Sequence, residues 1–387
     1  MCCAIAFGAL WIVAVGLKTI AADLGGARSG PSLASSLAWF GSSFGGLVMG
    51  PLAHRYGVRK TVIFGALSIC LGLWISTFGE LWQLYVGHGI FVGLLGTSGL
   101  NAPLYVYVSQ WFVRRRGSAL ALIASGLYLA GTVWPPIFER AVAIFGWRTT
   151  MVTYGLFAAT TIIPLALIFL KEPPEMKTTA GVAGAAGDTP RVLGWPPNVV
   201  FALIAIAAFL CCVTMSMPQS HLVAFCTDLG FSAQTGAVML SLLLGLGVLA
   251  RQMWGAIADR IGALPTLLIS SLLQGLAMTG FVVTQDEAGL YAVSAAFGIG
   301  FSALIPAYVL AVREYFPARE ASWRVPVVLL LSGSGMATGT WLAGALYDHF
   351  GFYAPAFAAG VGFNILNFTV IATLFFRRRY TLSAIPA

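Results

Sequence analysis

Arg251 stands in an apolar run, Ala250-Arg251-Gln252-Met253-Trp254-Gly255, eight residues before Asp259. A guanidinium is planar, permanently charged and forked, and it suits a carboxylate held by two parallel hydrogen bonds. None of the thirteen Asp and Glu residues lies well inside an apolar run; all fall in polar segments or at the ends of apolar ones. Pairing with an internal acid is the structural alternative, and no such acid is at hand. Arg251 is therefore expected to bind the carboxylate of a small substrate. Lys18, five residues before Asp23, either helps receive the same group or snorkels to the nearest polar boundary. His221, seven before Asp228, is an imidazole, a side chain whose ordinary pKa lies near neutral. It either carries a proton or packs as a neutral, hydrogen-bonded ring, and the second reading is favoured.

The elements that hold these residues follow from composition. Of 387 residues, 59% are apolar and 9% charged, with a mean hydropathy of +0.88. A soluble chain carries about 25% charged residues, so most of this surface faces lipid. A soluble enzyme, a nucleic-acid module and a disordered scaffold are excluded, despite a net charge of +8. At about 20 residues per crossing, the chain fits roughly twelve transmembrane helices. A barrel strand alternates over about ten residues, whereas these apolar runs are continuous and longer. Helices are expected near 2–22, 33–53, 61–78, 82–110, 117–138 and 150–170, then near 198–225, 233–257, 265–284, 288–312, 323–347 and 353–376. The polar stretch Lys171–Asn198, rich in Pro, Gly and charge, separates six from six. The expected architecture is an all-α membrane protein: an N-terminal six-helix bundle over 1–170, a cytoplasmic linker over 171–197, and a C-terminal six-helix bundle over 198–387 with a short tail.

Charge sets the orientation. With the N-terminus inside, 16 of the 21 Lys and Arg fall in cytoplasmic segments, among them Arg55, Arg114, Arg260 and Arg377. Arg28, Arg140, Arg148 and Lys18 fall outside, and Arg251 fits neither side. Both termini are therefore expected in the cytoplasm of a bacterial inner (plasma) membrane protein. The first run lacks a basic leader and a small-residue cleavage site, and reads as a membrane helix and not as a removable signal. Asp259 then marks the inner boundary. Eight residues of helix, about 12 Å, place Arg251 near the middle of a core about 30 Å thick. A charge there costs at least about 2.5–3.5 kcal/mol and must face a cavity, a partner or a substrate. The six cysteines show neither zinc spacing nor a disulfide framework. No phosphate loop, catalytic triad or metal cluster is present in the sequence, so no enzyme activity, metal or cofactor is expected. The basic runs orient loops and do not form a nucleic-acid surface.

The two halves share marks at one offset. Asp23-Leu24-Gly25 returns as Asp228-Leu229-Gly230, Gly50-x-x-x-His54-Arg55-x-Gly57 as Gly255-x-x-x-Asp259-Arg260-x-Gly262, and Phe145-Gly146 as Phe350-Gly351, each 205 residues later. Such a duplicated unit fits two bundles that rock about a midplane site. The loop Gly50-Pro51-Leu52-Ala53-His54-Arg55-Tyr56-Gly57-Val58-Arg59-Lys60 resembles the G-x-x-x-D-R-x-G-R-[RK] signature of the major facilitator superfamily. The resemblance extends over nearly the whole chain and implies the major facilitator fold. It implies that Gly50, Arg55, Gly57, Asp259 and Arg260 form the conformational loops holding the inner bundle ends together. His54 departs from the signature, and its usual acid survives only as Asp259.

A closer resemblance is to the monocarboxylate and oxalate–formate branch. It rests on Gln110-Trp111-Phe112-Val113-Arg114-Arg115-Arg116-Gly117-Ser118-Ala119, on Ser125-Gly126 and Gly131, and on Arg251 in the eighth helix. It implies that Lys18 helps receive the carboxylate or a proton. It also implies a cavity lined from helices four and five by Asn101, Tyr105, Tyr107 and Tyr128, with Phe301 and Trp341 as weaker candidates. Oxalate carriers of this branch place a Lys where Ser332 stands here, so a single carboxylate is expected. Proton symporters often have an acid four residues before the Arg, where this chain has Gly247. The function expected is secondary active transport of a small organic anion, a monocarboxylate, by proton symport or anion exchange. Lys18 and His221 are the possible proton groups, and the protein is expected to be monomeric. Two other readings compete: proton-driven efflux of a lipophilic drug or metabolite, and a non-transporting substrate sensor. The G-P-x-x-G-G antiporter motif is absent around Gly126–Pro136, and the short inner loops offer little to a sensor.

Overall fold

Buried in lipid, a backbone has no water to satisfy its polar groups, so apolar runs of this length become helices. The computed structural model describes residues 1–111, 116–170 and 191–383. Most of the expected linker, Arg114 and Arg115 of the basic loop, and the end of the tail lie outside them. Eight helices among the described residues are long and apolar enough to cross a membrane. One of these, Leu122–Phe169, has 48 residues, about two crossings at 20 residues each. With the segments at 2–23, 29–56 and 81–111, the element order accommodates twelve crossings in two sets of six.

The helices depart from the expected ranges in informative ways. The first segment is three pieces, Cys2–Gly8, Trp11–Val15 and Leu17–Asp23, with Gly16 at the second break. The second runs from Ser29 to Tyr56 and the third from Val58 to Ile75. The fourth is Leu81–Val86, a π-helical stretch Gly87–Thr97, and Ser98–Trp111. The π turns place Gly93 so close to the second helix that a Cβ there would lie 2.5 Å from the Ala38 carbonyl oxygen. No loop separates the expected fifth and sixth helices over 139–149: helix Arg116–Phe169 turns at Gly146 alone, at φ 77° and ψ 161°. The second half has Pro197–Asp228, Ala233–Ile261, Ala263–Val283, the split pair Glu287–Phe301 and Leu304–Tyr315, Ala318–Phe350, and Ala354–Ser383. Most of these helices are longer than the apolar ranges expected above.

The repeat is written into the backbone. Gly25 and Gly230, Gly57 and Gly262, and Gly146 and Gly351 all adopt positive φ, a region that penalises a Cβ. Each pair is 205 residues apart.

The halves meet along three seams: second helix against eleventh, fifth against eighth, and first against seventh. Small residues permit close approach there. A Cβ on Gly344 would lie 2.6 Å from Ser32 Oγ, and one on Gly333 would strike the Ser43 side chain. Gly247 sits 3.4 Å from Tyr128 Cδ1, measured from the same ideal position. Further along, at Gly46, Gly50 and Gly255, a Cβ would meet nothing within 4 Å. The close contacts between the bundles thus run from the end carrying Arg28 and Asp228 to the level of Arg251.

Candidate functional site

Arg251 lies where the seam ends. Its guanidinium carbon sits 4.2 Å from the ring centroid of Tyr128, on the fifth helix. Tyr128 in turn stacks on Phe301 of the tenth segment, with centroids 5.7 Å apart and planes at 23°. Gly247, one turn before Arg251, makes room for both rings: Tyr128 Cδ1 and Phe301 Cζ approach its Cβ position to 3.4 and 3.5 Å. A Cβ at 247 would be in ordinary van der Waals contact with both rings. The ring face stabilises the cation by roughly 0.5–2 kcal/mol. Arg251 enters no ion pair among the described residues, and its buried Nε has no hydrogen-bonding partner among them.

Tyr105, partly buried on the fourth segment, lies within electrostatic reach of both Arg251 and Tyr128. Asn101 is partly buried one helical turn before it; residues so spaced share a helix face. Ser332 is buried on the eleventh helix and donates to the Val328 carbonyl over 2.9 Å. Tyr107 reaches the Phe169 carbonyl at 3.4 Å, within its own bundle, and Trp341 is exposed. The structure therefore groups Arg251 with Tyr128, Tyr105 and Phe301.

Lys18 and His221 stand in a second cluster, at the other end of the seam. Asp228 receives both guanidinium nitrogens of Arg28, at 2.6 and 2.7 Å, and Lys18 Nζ at 3.1 Å. Asp348 accepts the backbone N–H of Arg28 and of Ser29, each at 2.8 Å. Arg28 also donates to Tyr353 Oη at 2.9 Å and lies 3.7 Å from the Tyr347 ring centroid. Burial works against the charge on Arg28, yet Asp228 and Tyr353 together outweigh it and hold the guanidinium above its ordinary pKa. His221 is fully buried. Its Nε2 is 2.9 Å from the Thr340 carbonyl oxygen and its Nδ1 is 3.0 Å from Tyr353 Oη. A carbonyl only accepts, so Nε2 carries the ring proton and Nδ1 accepts from the phenol; the tautomer is assigned from these partners. Lys18 is thus drawn to Asp228, not to Arg251.

Sequence reasoning missed Arg28, Asp348 and Tyr353 as a unit, having counted Arg28 only as an orienting charge. A signal existed in the repeat. Asp23 accepts from Trp147 Nε1 at 2.8 Å and Arg148 Nη1 at 2.7 Å inside its own bundle. These two hydrogen bonds, Trp147 first, hold its carboxyl below the usual range. Position 353 corresponds to Arg148 at the 205 offset and is a tyrosine, so Asp228 has to find its cation elsewhere.

At the opposite end, Arg55, Gly57, Asp259 and Arg260 are exposed and Gly50 is partly so. No ion pair joins these loops across the bundles among the described residues.

Comparison with known proteins adds the family context. The model of the Major Facilitator Superfamily matches residues 1–322 and 204–387. Monocarboxylate transporter 13 of Bos taurus is 26% identical over 350 residues, covering 88% of this chain and 80% of that protein. The agnestins efflux protein AgnL12 of Paecilomyces divaricatus is 24% identical, covering 84% of this chain and 75% of its own length. Among solved structures, a bacterial homolog of the human lysosomal transporter Spinster aligns with a TM-score of 0.73 at 15% identity, covering 100% and 97% of the two chains.

Proposed function

Because the chain belongs to the major facilitator superfamily, we propose that this integral membrane protein is a secondary carrier of small organic anions, with monocarboxylates as substrates and Arg251 as their receptor. The observation that carries this reading is Arg251 itself: a cation at the seam between the halves, stacked on Tyr128, with a buried Nε that meets no partner among the described residues. A carboxylate supplies the missing acceptor, and the phenols of Tyr105 and Tyr128 flank it. The likeness to monocarboxylate transporter 13 supports the same class. Coupling is by proton symport or anion exchange. Unaccompanied anion uptake would work against about 2.3 kcal/mol per charge per 100 mV.

The direct test is uptake of radiolabelled lactate, pyruvate and aromatic acids into proteoliposomes, comparing the parent with Arg251→Gln. Saturable carboxylate flux that disappears in the variant supports the assignment. Equal affinity and flux in both removes it.

The efflux relative favours a second reading, proton-driven export of a lipophilic metabolite. Extrusion of a cationic dye with no response to any carboxylate would select it.

A further inference from the structure

The geometry points to a proton-binding site in the Arg28 cluster: His221 Nδ1, whose protonation releases the contact between the two halves at their outer end. This rests on the carrier reading, in which the halves part at that end, and not on the choice of a carboxylate as substrate.

In the neutral state one chain of hydrogen bonds crosses the interface. Arg28 of the first half donates to Tyr353 Oη, the phenol donates to His221 Nδ1, and His221 Nε2 donates to the Thr340 carbonyl. Ser32 Oγ of the first half lies 3.4 Å from the same Nε2. A proton arriving from water can add only at Nδ1, because Nε2 already carries one. The imidazolium then has two N–H donors and no acceptor, so the phenol can no longer donate to it. Tyr353 Oη would face an N–H from each of two cations, with only its own oxygen between them.

The surrounding charge amplifies the effect. The groups packed around the site are Lys18 from the first segment, Arg28 ahead of the second helix, Asp228 on the seventh, Asp348 and Tyr347 on the eleventh, and Tyr353 ahead of the twelfth. Two cations balance two carboxylates, and a protonated His221 leaves the cluster net positive. Arg28 and Lys18 are the members held from the opposite half, so the repulsion acts across the interface. Acid therefore favours separation at this end, and neutral pH favours closure.

Ser36 provides the reporter, being buried on the second helix with its hydroxyl bonded to the Ser32 carbonyl. Ser36→Cys is labelled in intact cells by a membrane-impermeant thiol reagent at about pH 5.5 and about pH 7.5, either side of an ordinary imidazole's pKa. The chain's own six cysteines set the baseline. Rates are normalised to Ala27→Cys, an exposed position beside the cluster, which removes the pH dependence of the reagent. The expected result is labelling about tenfold faster in acid, a population shift of about 1.4 kcal/mol. His221→Gln retains one donor and one acceptor but cannot take the proton, and should label slowly at both pH values. Tyr353→Phe keeps the ring and removes the bridge, and should label fast at both. An unchanged acid response in His221→Gln would overturn the proposal and assign the effect to Asp228 or Asp348. So would a Tyr353→Phe chain as slow and as acid-sensitive as the parent.

Discussion

Tyr353 occupies in the second half the position that Arg148 holds in the first, 205 residues earlier. Arg148 neutralises Asp23 within one bundle, whereas Tyr353 cannot neutralise Asp228, which takes Arg28 from the opposite bundle. Two broken correspondences in the duplicated unit, Tyr353 against Arg148 and Ala233 against Arg28, accompany the change from an internal ion pair to a bond between halves.

Asp228→Asn should weaken that bond. The amide leaves the buried Arg28 guanidinium without its bidentate counter-ion, and removing one partner of a buried pair costs about 3–5 kcal/mol. Asp228 is partly exposed, so solvent will screen some of that loss. Labelling of the Ser36→Cys reporter should rise at neutral pH. Unchanged protection would mean the backbone bonds to Asp348 suffice.

Arg251→Lys is the complementary test at the proposed substrate site. Lysine keeps the charge but loses the planar fork and the stack on Tyr128. Charge-assisted hydrogen bonds contribute about 1.5–3 kcal/mol, so the KM for a carboxylate should rise roughly 10- to 100-fold. Uptake kinetics in proteoliposomes measure it. A lysine variant with parental KM would show that charge alone recruits the substrate.

Much of this was legible beforehand. The all-helical membrane architecture followed from apolar length, and Arg251 stood out because it was a charge without a boundary. The segment breaks were not legible. A π-helical stretch at Gly87–Thr97 and the divided first segment depend on how closely neighbouring backbones pack, which hydropathy does not encode. The interface cluster was hidden for another reason. Arg28, Asp228 and Tyr353 lie far apart in the chain, and each looks like an ordinary helix-end residue until the halves are assembled. Lys18, weighed as a substrate residue, is drawn instead to Asp228, the nearer anion.

Asp23 makes a pH prediction of known sign. Hydrogen bonds from Trp147 and Arg148 depress its folded-state pKa. Its stabilising contribution is present above the ordinary carboxylate pKa and is lost as pH falls through the depressed value. In detergent, Asp23→Asn should melt slightly below the parent at neutral pH, and the two should converge only as pH falls through that depressed value. A gap that persists or widens in acid would contradict the assignment.

Gly146→Ala should destabilise the first bundle. Gly146 turns the chain between two helices at φ 77° and ψ 161°, and a Cβ in that region costs roughly 1–3 kcal/mol. A Cβ there would meet nothing within 4 Å, so backbone strain is the whole effect. Thermal unfolding should shift downward without loss of substrate affinity. A normal melting curve would mean the turn can move to negative φ.

Asp348 joins the two halves in another sense. The first amide groups of the second helix have no carbonyl of their own to bond, and Arg28 and Ser29 give theirs to a carboxylate from the other bundle. The second helix is therefore finished at its start only while the halves are together. Parting them exposes two bare donors that water must take over, so secondary structure itself registers which way the protein faces. Amide hydrogen exchange at Arg28 and Ser29 becomes a label-free gauge of that state, built into the chain.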